Sequence, residues 1–292
     1  MTGKITKGIA GFYYVYGEDG ALYECKAKGI FRKDGIKPLV GDDVTISVLD
    51  AEKKVGNLEE ILPRKSELLR PAVANVDQAL VLFAAAKPAP NFNLLDRFLI
   101  RMGLERIPVL VGFNKAELVT KEQEEEMKAI YQSAGYPVYF FSVKERTGLE
   151  KLQEALEGKT TTLAGPSGVG KSSLLNFLCP QAEMETGDVS RKIERGRHTT
   201  RHAELFVRRQ GTYVMDTPGF SSLYINEIEA PDLWFYFPEM REAEKECRFT
   251  GCCHMEEPDC GVKQRVEAGV ISRQRYESYR QLYTELGNKK KY

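Results

Sequence analysis

The sequence predicts a multidomain chain: a small all-β barrel, then an α/β domain on a parallel sheet, then a short cysteine-bearing module with helices. Three observations carry this. Residues 1–67 hold strand-like segments broken by Gly and Asp turns. From Asp77 onward, continuous apolar runs alternate with amphipathic stretches. Beyond Leu223 come the only Trp and four of the six Cys. The expected domains are therefore 1–67, 68–223 and 224–292.

In the first part, "GFYYVYG", "ALYECKAKG" and "DDVTISVLD" are rich in β-branched and aromatic residues, and turn signals separate them at a spacing typical of small barrels. "LPRKSELLRPAVANVD" reads as a connector. "QALVLFAAA" and "IPVLVGFNK" are apolar throughout, as strands covered on both faces must be. "NLLDRFLIRMGLE", "KEQEEEMKAIYQSAG" and "GLEKLQEAL" have helical spacing, and "YPVYFFSV", "TTTLAG" and "GTYVMDTPG" add strands. Alternation of this kind implies a parallel sheet with helices on its faces. "SRQRYESYRQLYTELGNKKKY" closes the chain as a basic helix.

Hydrophobic content of 42% with 29% charged residues describes a soluble chain able to bury real cores. The formal net charge is zero, which excludes polyelectrolyte attraction of the whole molecule to nucleic acid. Local patches remain basic. Arg191 to Arg201 holds five Lys/Arg against one Glu, and the tail from Gly261 holds eight against three. No stretch reaches the roughly 18 apolar residues of a membrane span, and the start lacks the apolar core of a signal peptide. The expectation is a cytoplasmic protein without membrane contact, whose clustered cysteines are reduced and bind metal.

"GPSGVGKSS" follows one predicted strand and opens a predicted helix, the context a phosphate-binding loop needs. Gly165, Gly168 and Gly170 let backbone N–H groups close around phosphate oxygens, with Pro166, Ser167 and Val169 completing the loop. Lys171 supplies a cation to the β/γ-phosphates, Ser172 a hydroxyl to Mg²⁺, and Ser173 the next N–H of the helix start. Asp216 and Gly219 form a D-x-x-G element 51 residues beyond the start of the loop, suited to a water-mediated Mg²⁺ contact and a γ-phosphate contact. Between them "GRHTTR" offers Thr199 and Thr200; Thr200 is taken as the second Mg²⁺ hydroxyl. Phe220 stands where many such sites carry a water-orienting Gln, which leaves His198 as the nearest polar candidate for that task.

Upstream, "NKAE" (Asn114, Lys115, Ala116, Glu117) ends an apolar strand, and Ser142, Val143 and Lys144 end the next. Strand ends of a parallel sheet are where ligands bind. Asn114 can hydrogen-bond a base edge and loop backbone, the Lys115 stem can cover the ring, and a carboxylate at 117 can accept from guanine N–H groups. The usual acid there is Asp, so Glu117 adds one methylene. Each match is short, and an accidental N-K-x-E is unremarkable; two at consecutive strand ends mark a base-reading site. The order is then base, base, phosphate, switch, switch. A GTPase domain normally begins with its phosphate loop, so this one is circularly permuted, a change that preserves packing when native termini lie close together. An ATPase is the alternative that a phosphate loop alone permits.

"CRFTGCCHMEEPDC" places Cys247, Cys252, His254 and Cys260 within fourteen residues. Three thiolates and an imidazole satisfy tetrahedral Zn²⁺, and a full protein shell marks a structural site, one ion per chain. Cys253 is adjacent and could compete. Cys25 and Cys179 fall outside the cluster, as core or surface thiols.

With these motifs and their order in view, the chain resembles the RsgA (YjeQ) family along essentially its whole length, most specifically in "GPSGVGKSSLLN", "GRHTTRH", "DTPGFSS" and the C-x₄-C-x-H-x₅-C spacing. The resemblance implies an N-terminal OB-type barrel, a circularly permuted P-loop GTPase domain, and a C-terminal zinc-binding module in which Cys252 rather than Cys253 is the ligand. It further implies Mg²⁺-dependent GTP hydrolysis stimulated by the 30S ribosomal subunit, in late assembly of that subunit, with contacts to 16S rRNA and GTP/GDP by a monomer. A non-catalytic RNA-binding assembly factor, in which nucleotide only orders the fold, is a further alternative. Phe12, Tyr13, Tyr14 and Tyr16 are candidate stacking residues, of which strand alternation lets only about half face outward.

Overall fold

The computed structural model describes residues 1–29, 31, 35–69, 71–184, 203–216 and 225–289. Its packing divides into two units, Met1–Leu80 with Glu150–Ser222 and Val81–Leu149 with Leu223–Tyr292.

In the first unit, β1 (Thr2–Ile9), β2 (Phe12–Gly17), β3 (Leu22–Ala27), β4 (Asp43–Asp50) and β5 (Val55–Ile61) close a barrel in the order β1-β2-β3-β5-β4. All pairings are antiparallel except β3 with β5. Alternate residues face inward, as the pleat demands. Ile5, Val15, Tyr23, Cys25, Val44, Ile46 and Leu58 form the barrel core, with Tyr13 and Ile61 packed against it.

The segment expected to be a plain connector contains a hairpin of β6 (Glu67–Leu69) and β7 (Ala72–Ala74). Arg64 explains why it is ordered. Its guanidinium holds the buried Asp42 through Nε at 2.7 Å and Nη2 at 2.9 Å, while Asn75 donates to the Gly41 carbonyl. Gly41 must be glycine: its φ is +94°, and a Cβ would lie 2.0 Å from the Ala74 carbonyl oxygen.

Six strands form the main sheet in the order β10-β9-β8-β11-β13-β12: β8 (Gln78–Ala84), β9 (Val109–Asn114), β10 (Val138–Phe140), β11 (Thr160–Ala164), β12 (Glu204–Arg209) and β13 (Thr212–Asp216). Every residue of β8, β9 and β11 is buried, the signature of a sheet covered on both faces. The sheet is mixed rather than purely parallel. β12, which has no counterpart among the sequence expectations, runs antiparallel to β13 through the two-residue turn Gln210–Gly211. Gly211 has φ +80°, the left-handed conformation such a turn needs.

Helices α1 (Phe92–Leu104), α2 (Lys121–Gln132), α3 (Leu149–Leu156) and α4 (Lys171–Leu178) fall at the expected places. Thr120 caps α2 in a reciprocal box with Gln123, which explains its sharp start. The C-terminal part comprises a 3-10 segment Ala230–Tyr236 and helices α5 (Pro238–Glu244), α6 (Gly261–Glu267) and α7 (Arg273–Lys289). Its apolar core takes in Leu233, Phe237, Met240, Val262, Tyr279 and Leu282, and also Ile100 from α1. Among the described residues, no helix is long and apolar enough to cross a membrane.

Candidate functional site

Within the first unit, β11 delivers the chain into the Gly165–Gly170 loop. Gly165, Gly168 and Gly170 have φ of +145°, +80° and +98°, conformations that glycine adopts readily and that a tight phosphate-type loop requires. Val169 is buried and pins the loop from below. The Lys171 ammonium folds over the loop, donating to the carbonyls of Gly165 at 2.8 Å and Pro166 at 2.6 Å. Burial lowers its pKa, while the charge of Asp216 acts in the opposite sense. Asp216 ends β13 in parallel register with Leu163, the penultimate residue of β11. The fold thus brings Gly165–Ser173 and Asp216 together, with Ser172 and Ser173 in the first turn of α4. His198, Thr199, Thr200, Gly219 and Phe220 lie outside the described residues.

Within the second unit, β9 ends at the buried Asn114. Its Oδ1 accepts a 3.1 Å hydrogen bond from the Val143 amide, so one side chain ties the two expected base-reading loops together. Lys115 adopts a left-handed conformation with φ +63°, and its ammonium donates to the Lys87 carbonyl. The Ala116 amide then reaches the Phe141 carbonyl at 3.2 Å. Glu117 lies exposed on the short 3-10 turn Ala116–Leu118. The Lys144 ammonium pairs with Glu145 at 2.9 Å, which raises its pKa, with a lesser contribution from the charge of Glu117. Ser142 is buried; its hydroxyl accepts from the Glu145 amide at 3.0 Å, and its backbone exchanges two hydrogen bonds with Thr147. These bonds preshape the loop.

The Cys3His group is also compact. Nδ1 of His254 lies 3.6 Å from Cys247 Sγ and 3.4 Å from Cys260 Sγ; those two sulfurs are 3.9 Å apart. All four donor atoms, Cys252 included, fall within 4.8 Å of one another. Tetrahedral zinc, with bonds of ~2.3 Å to sulfur and ~2.0 Å to nitrogen, requires separations of ~3.8 Å and ~3.5 Å. The residues fit, and the group could hold a metal ion. Cys253, the adjacent thiol, turns toward the Gly251 carbonyl instead. Burial pushes the Cys252 thiol up to about 12 and lowers His254, the pattern a cation would offset by stabilising thiolate. The sequence reading missed what braces this loop. Glu257 accepts from the amides of Cys253 and Met255, and the Tyr276 and Tyr279 hydroxyls donate to the carbonyls of His254 and Cys253. An acid inside the loop and two tyrosines three apart on one helix face were the available signals.

On the barrel, the pleat of β2 sets Tyr13 on the side of Val15 and puts Phe12, Tyr14 and Tyr16 on the opposite side. Tyr13 packs toward the core, while Phe12 lies under the Lys26 ammonium and Tyr14 donates to Glu24. The basic tail is less free than its composition suggests: Arg275 is buried and Arg280 pairs with Glu256.

Comparison with known proteins agrees with this geometry. Residues 61–226 match the RsgA GTPase family, and residues 2–55 the RsgA N-terminal domain. The chain is 58% identical to the small ribosomal subunit biogenesis GTPase RsgA of Agathobacter rectalis, with all of both chains covered. It is 48% identical to the protein of the same name from Alkaliphilus metalliredigens, over 99% of each. Among solved structures it is similar to YloQ, described as a circularly permuted GTPase, at 39% identity and TM-score 0.78, covering 99% of this chain and 95% of that one. It is also similar to YjeQ from Thermotoga maritima, at 36% identity and TM-score 0.79, covering 98% of each. With both family models matched and full-length identity at this level, the chain belongs to the RsgA family of circularly permuted GTPases.

Proposed function

We propose that this chain hydrolyses GTP on the small ribosomal subunit late in the assembly of that particle, and that the particle stimulates the hydrolysis. The observation that carries the reading is the Asn114–Val143 hydrogen bond, which locks two guanine-type loops together in a chain whose phosphate loop comes later. The names of its full-length relatives support the ribosomal partner. The Gly165–Ser173 loop and Lys171 hold the phosphates, Ser172 and Thr200 take Mg²⁺ with Asp216 acting through water, and Gly219 meets the γ-phosphate. Asn114, Lys115, Ala116, Glu117, Ser142, Val143 and Lys144 read the base. His198 positions the attacking water. Zn²⁺ in the Cys247/Cys252/His254/Cys260 group is structural, since four protein donors leave no open position for chemistry. The outer face of the barrel and the free part of the basic tail contact 16S rRNA, and the protein works as a cytoplasmic monomer. Phosphate release from GTP, measured with and without purified 30S subunits, is the test; equal turnover in both would remove the ribosome from the reaction.

One observation favours a second reading. Glu117 is a residue longer by one methylene than the acid usual at that position, so adenine could be tolerated. Competition of ATP against GTP for the nucleotide site separates the two.

A further inference from the structure

The C-terminal module holds a buried charge that neither the metal group nor nucleotide chemistry uses. Arg275 of α7 is 1% exposed, and its partners Asp96 on α1 and Glu239 on α5 are 0% and 3% exposed. The guanidinium donates to Asp96 Oδ1 through Nη1, and grips Glu239 in bidentate fashion through Nε at 2.8 Å and Nη2 at 3.1 Å. Three rings enclose it, with centroids at 4.6 Å for Phe237, 5.5 Å for Tyr131 and 5.7 Å for Tyr136. Asp96, Tyr131 and Tyr136 belong to the segment that carries the base-reading loops; Arg275, Glu239 and Phe237 belong to the metal-bearing module. The same seam holds the Arg97–Glu285 pair and the bonds from Asn93 to Ser278 and Gln281.

Tyr131 continues the chain of contact. It is fully buried on α2, and its ring lies 6.4 Å from that of Phe113, the residue immediately before Asn114. Phe113 in turn stacks at 4.8 Å on Phe140, just before Phe141 and Ser142. Behind both base-reading loops there is thus a continuous aromatic wall whose far end is fixed by a charge on α7. Close-packed interiors transmit displacement, and removing one member of a buried ion group leaves an uncompensated charge that forces rearrangement.

We propose that Arg275 is a positioning residue for guanine recognition: acting through Tyr131 and Phe113, it sets the height of Asn114 and so couples the C-terminal module to base selectivity. This rests on the reading of Asn114–Glu117 as the base-reading loop. No residue of the phosphate loop takes part in this chain of contacts, so loss of Arg275 is expected to act on the base more than on the phosphates.

The test is the affinity of the full-length protein for fluorescent GDP and, by competition, for ADP, in the parent and four variants, with cooperative melting as the check on folding. Arg275→Met is expected to weaken GDP about tenfold and leave ADP within about twofold, collapsing the GDP:ADP preference. Tyr131→Leu, which withdraws the ring from Phe113 but keeps the ion group, is expected to do the same, and it decides the matter if Arg275→Met does not fold. The triple variant Asp96→Asn, Glu239→Gln, Arg275→Met removes the charge imbalance and is expected to recover at least part of the preference. Asn114→Ala is the reference. If it collapses the preference while Arg275→Met and Tyr131→Leu keep it, the coupling is overturned and the base-reading assignment stands. A parallel loss of GDP and ADP affinity in folded Arg275→Met also overturns it, because that is the mark of general damage. An unchanged preference in Asn114→Ala overturns the base-reading assignment and this proposal with it.

Discussion

Glu117 carries the sharpest chemical question at the scale of single residues. Its carboxylate sits exposed on a short 3-10 turn, while Asn114 beside it is buried and committed to the Val143 amide. The rigid part of the loop is therefore set by Asn114, and the acid can swing to absorb its extra methylene. GTP is expected to bind at least tenfold tighter than ATP, about 1.4 kcal/mol. Glu117→Ala should erase most of that gap and Glu117→Asp should preserve or widen it, as measured by competition binding. Lys171 behaves differently. Its ammonium already lies over the loop, donating to the Gly165 and Pro166 carbonyls, where it is placed to meet the phosphates, so Lys171→Ala should lower nucleotide affinity and turnover together. His198→Ala, by contrast, should depress ribosome-stimulated turnover at nearly unchanged nucleotide affinity; retained turnover would remove His198 from catalysis.

At the scale of elements, capping and turn geometry decide how well the two loops proposed to read the base hold their shape. Thr120 and Gln123 close the N-terminus of α2, the helix that carries Tyr131. Thr120→Ala should cost ~1 kcal/mol in urea unfolding, the usual value of a lost N-cap. Gly148, at the end of the Ser142–Thr147 loop, has φ +69°, and a Cβ would meet the Phe140 carbonyl oxygen at 2.5 Å. Gly148→Ala is therefore both strained and obstructed. It should destabilise the protein by more than ~1 kcal/mol and weaken GDP binding more than Thr120→Ala does. Equal effects on GDP would mean that the loop's backbone path is not what the base senses.

On the scale of the whole molecule, the second unit joins two segments that lie far apart in the chain. Residues beyond Leu223 pack with 81–149, and Ile100 of α1 sits inside the C-terminal core. Chelation should therefore reach further than the metal loop: amide exchange should accelerate through Phe92–Leu104 as well as through the Cys247–Cys260 segment. Exchange confined to the metal loop would show that the two parts melt independently. One Zn²⁺ per chain is expected, lost in Cys252→Ser and retained in Cys253→Ser. A second expectation concerns the ribosome. The D-x-x-G element leads directly into the C-terminal module in sequence, so γ-phosphate loss should alter how that module presents itself. Affinity for 30S subunits should be higher with a non-hydrolysable GTP analogue than with GDP by the typical coupling of about 1–3 kcal/mol.

Most element types, the motif order and the cluster of candidate metal donors are legible in the residues, because each is written in local chemistry, although spacing alone left Cys252 and Cys253 as competing donors. A strand buried on both faces must be apolar throughout, a phosphate loop must be glycine-rich, and clustered donors need only short loops to converge. Legibility failed where a residue's role is set by something distant in the chain. Arg64 looked like part of a connector and is a clamp on Asp42; β12 showed no long apolar run because, among the described residues, it is the edge strand beside β13. Arg275 looked like one more cation of a basic tail, yet its partner Asp96 lies 179 residues away. Only the tertiary structure could decide which of the tail's charges is solvated and which is buried, since burial of a charge depends on carboxylates and rings that no local pattern announces.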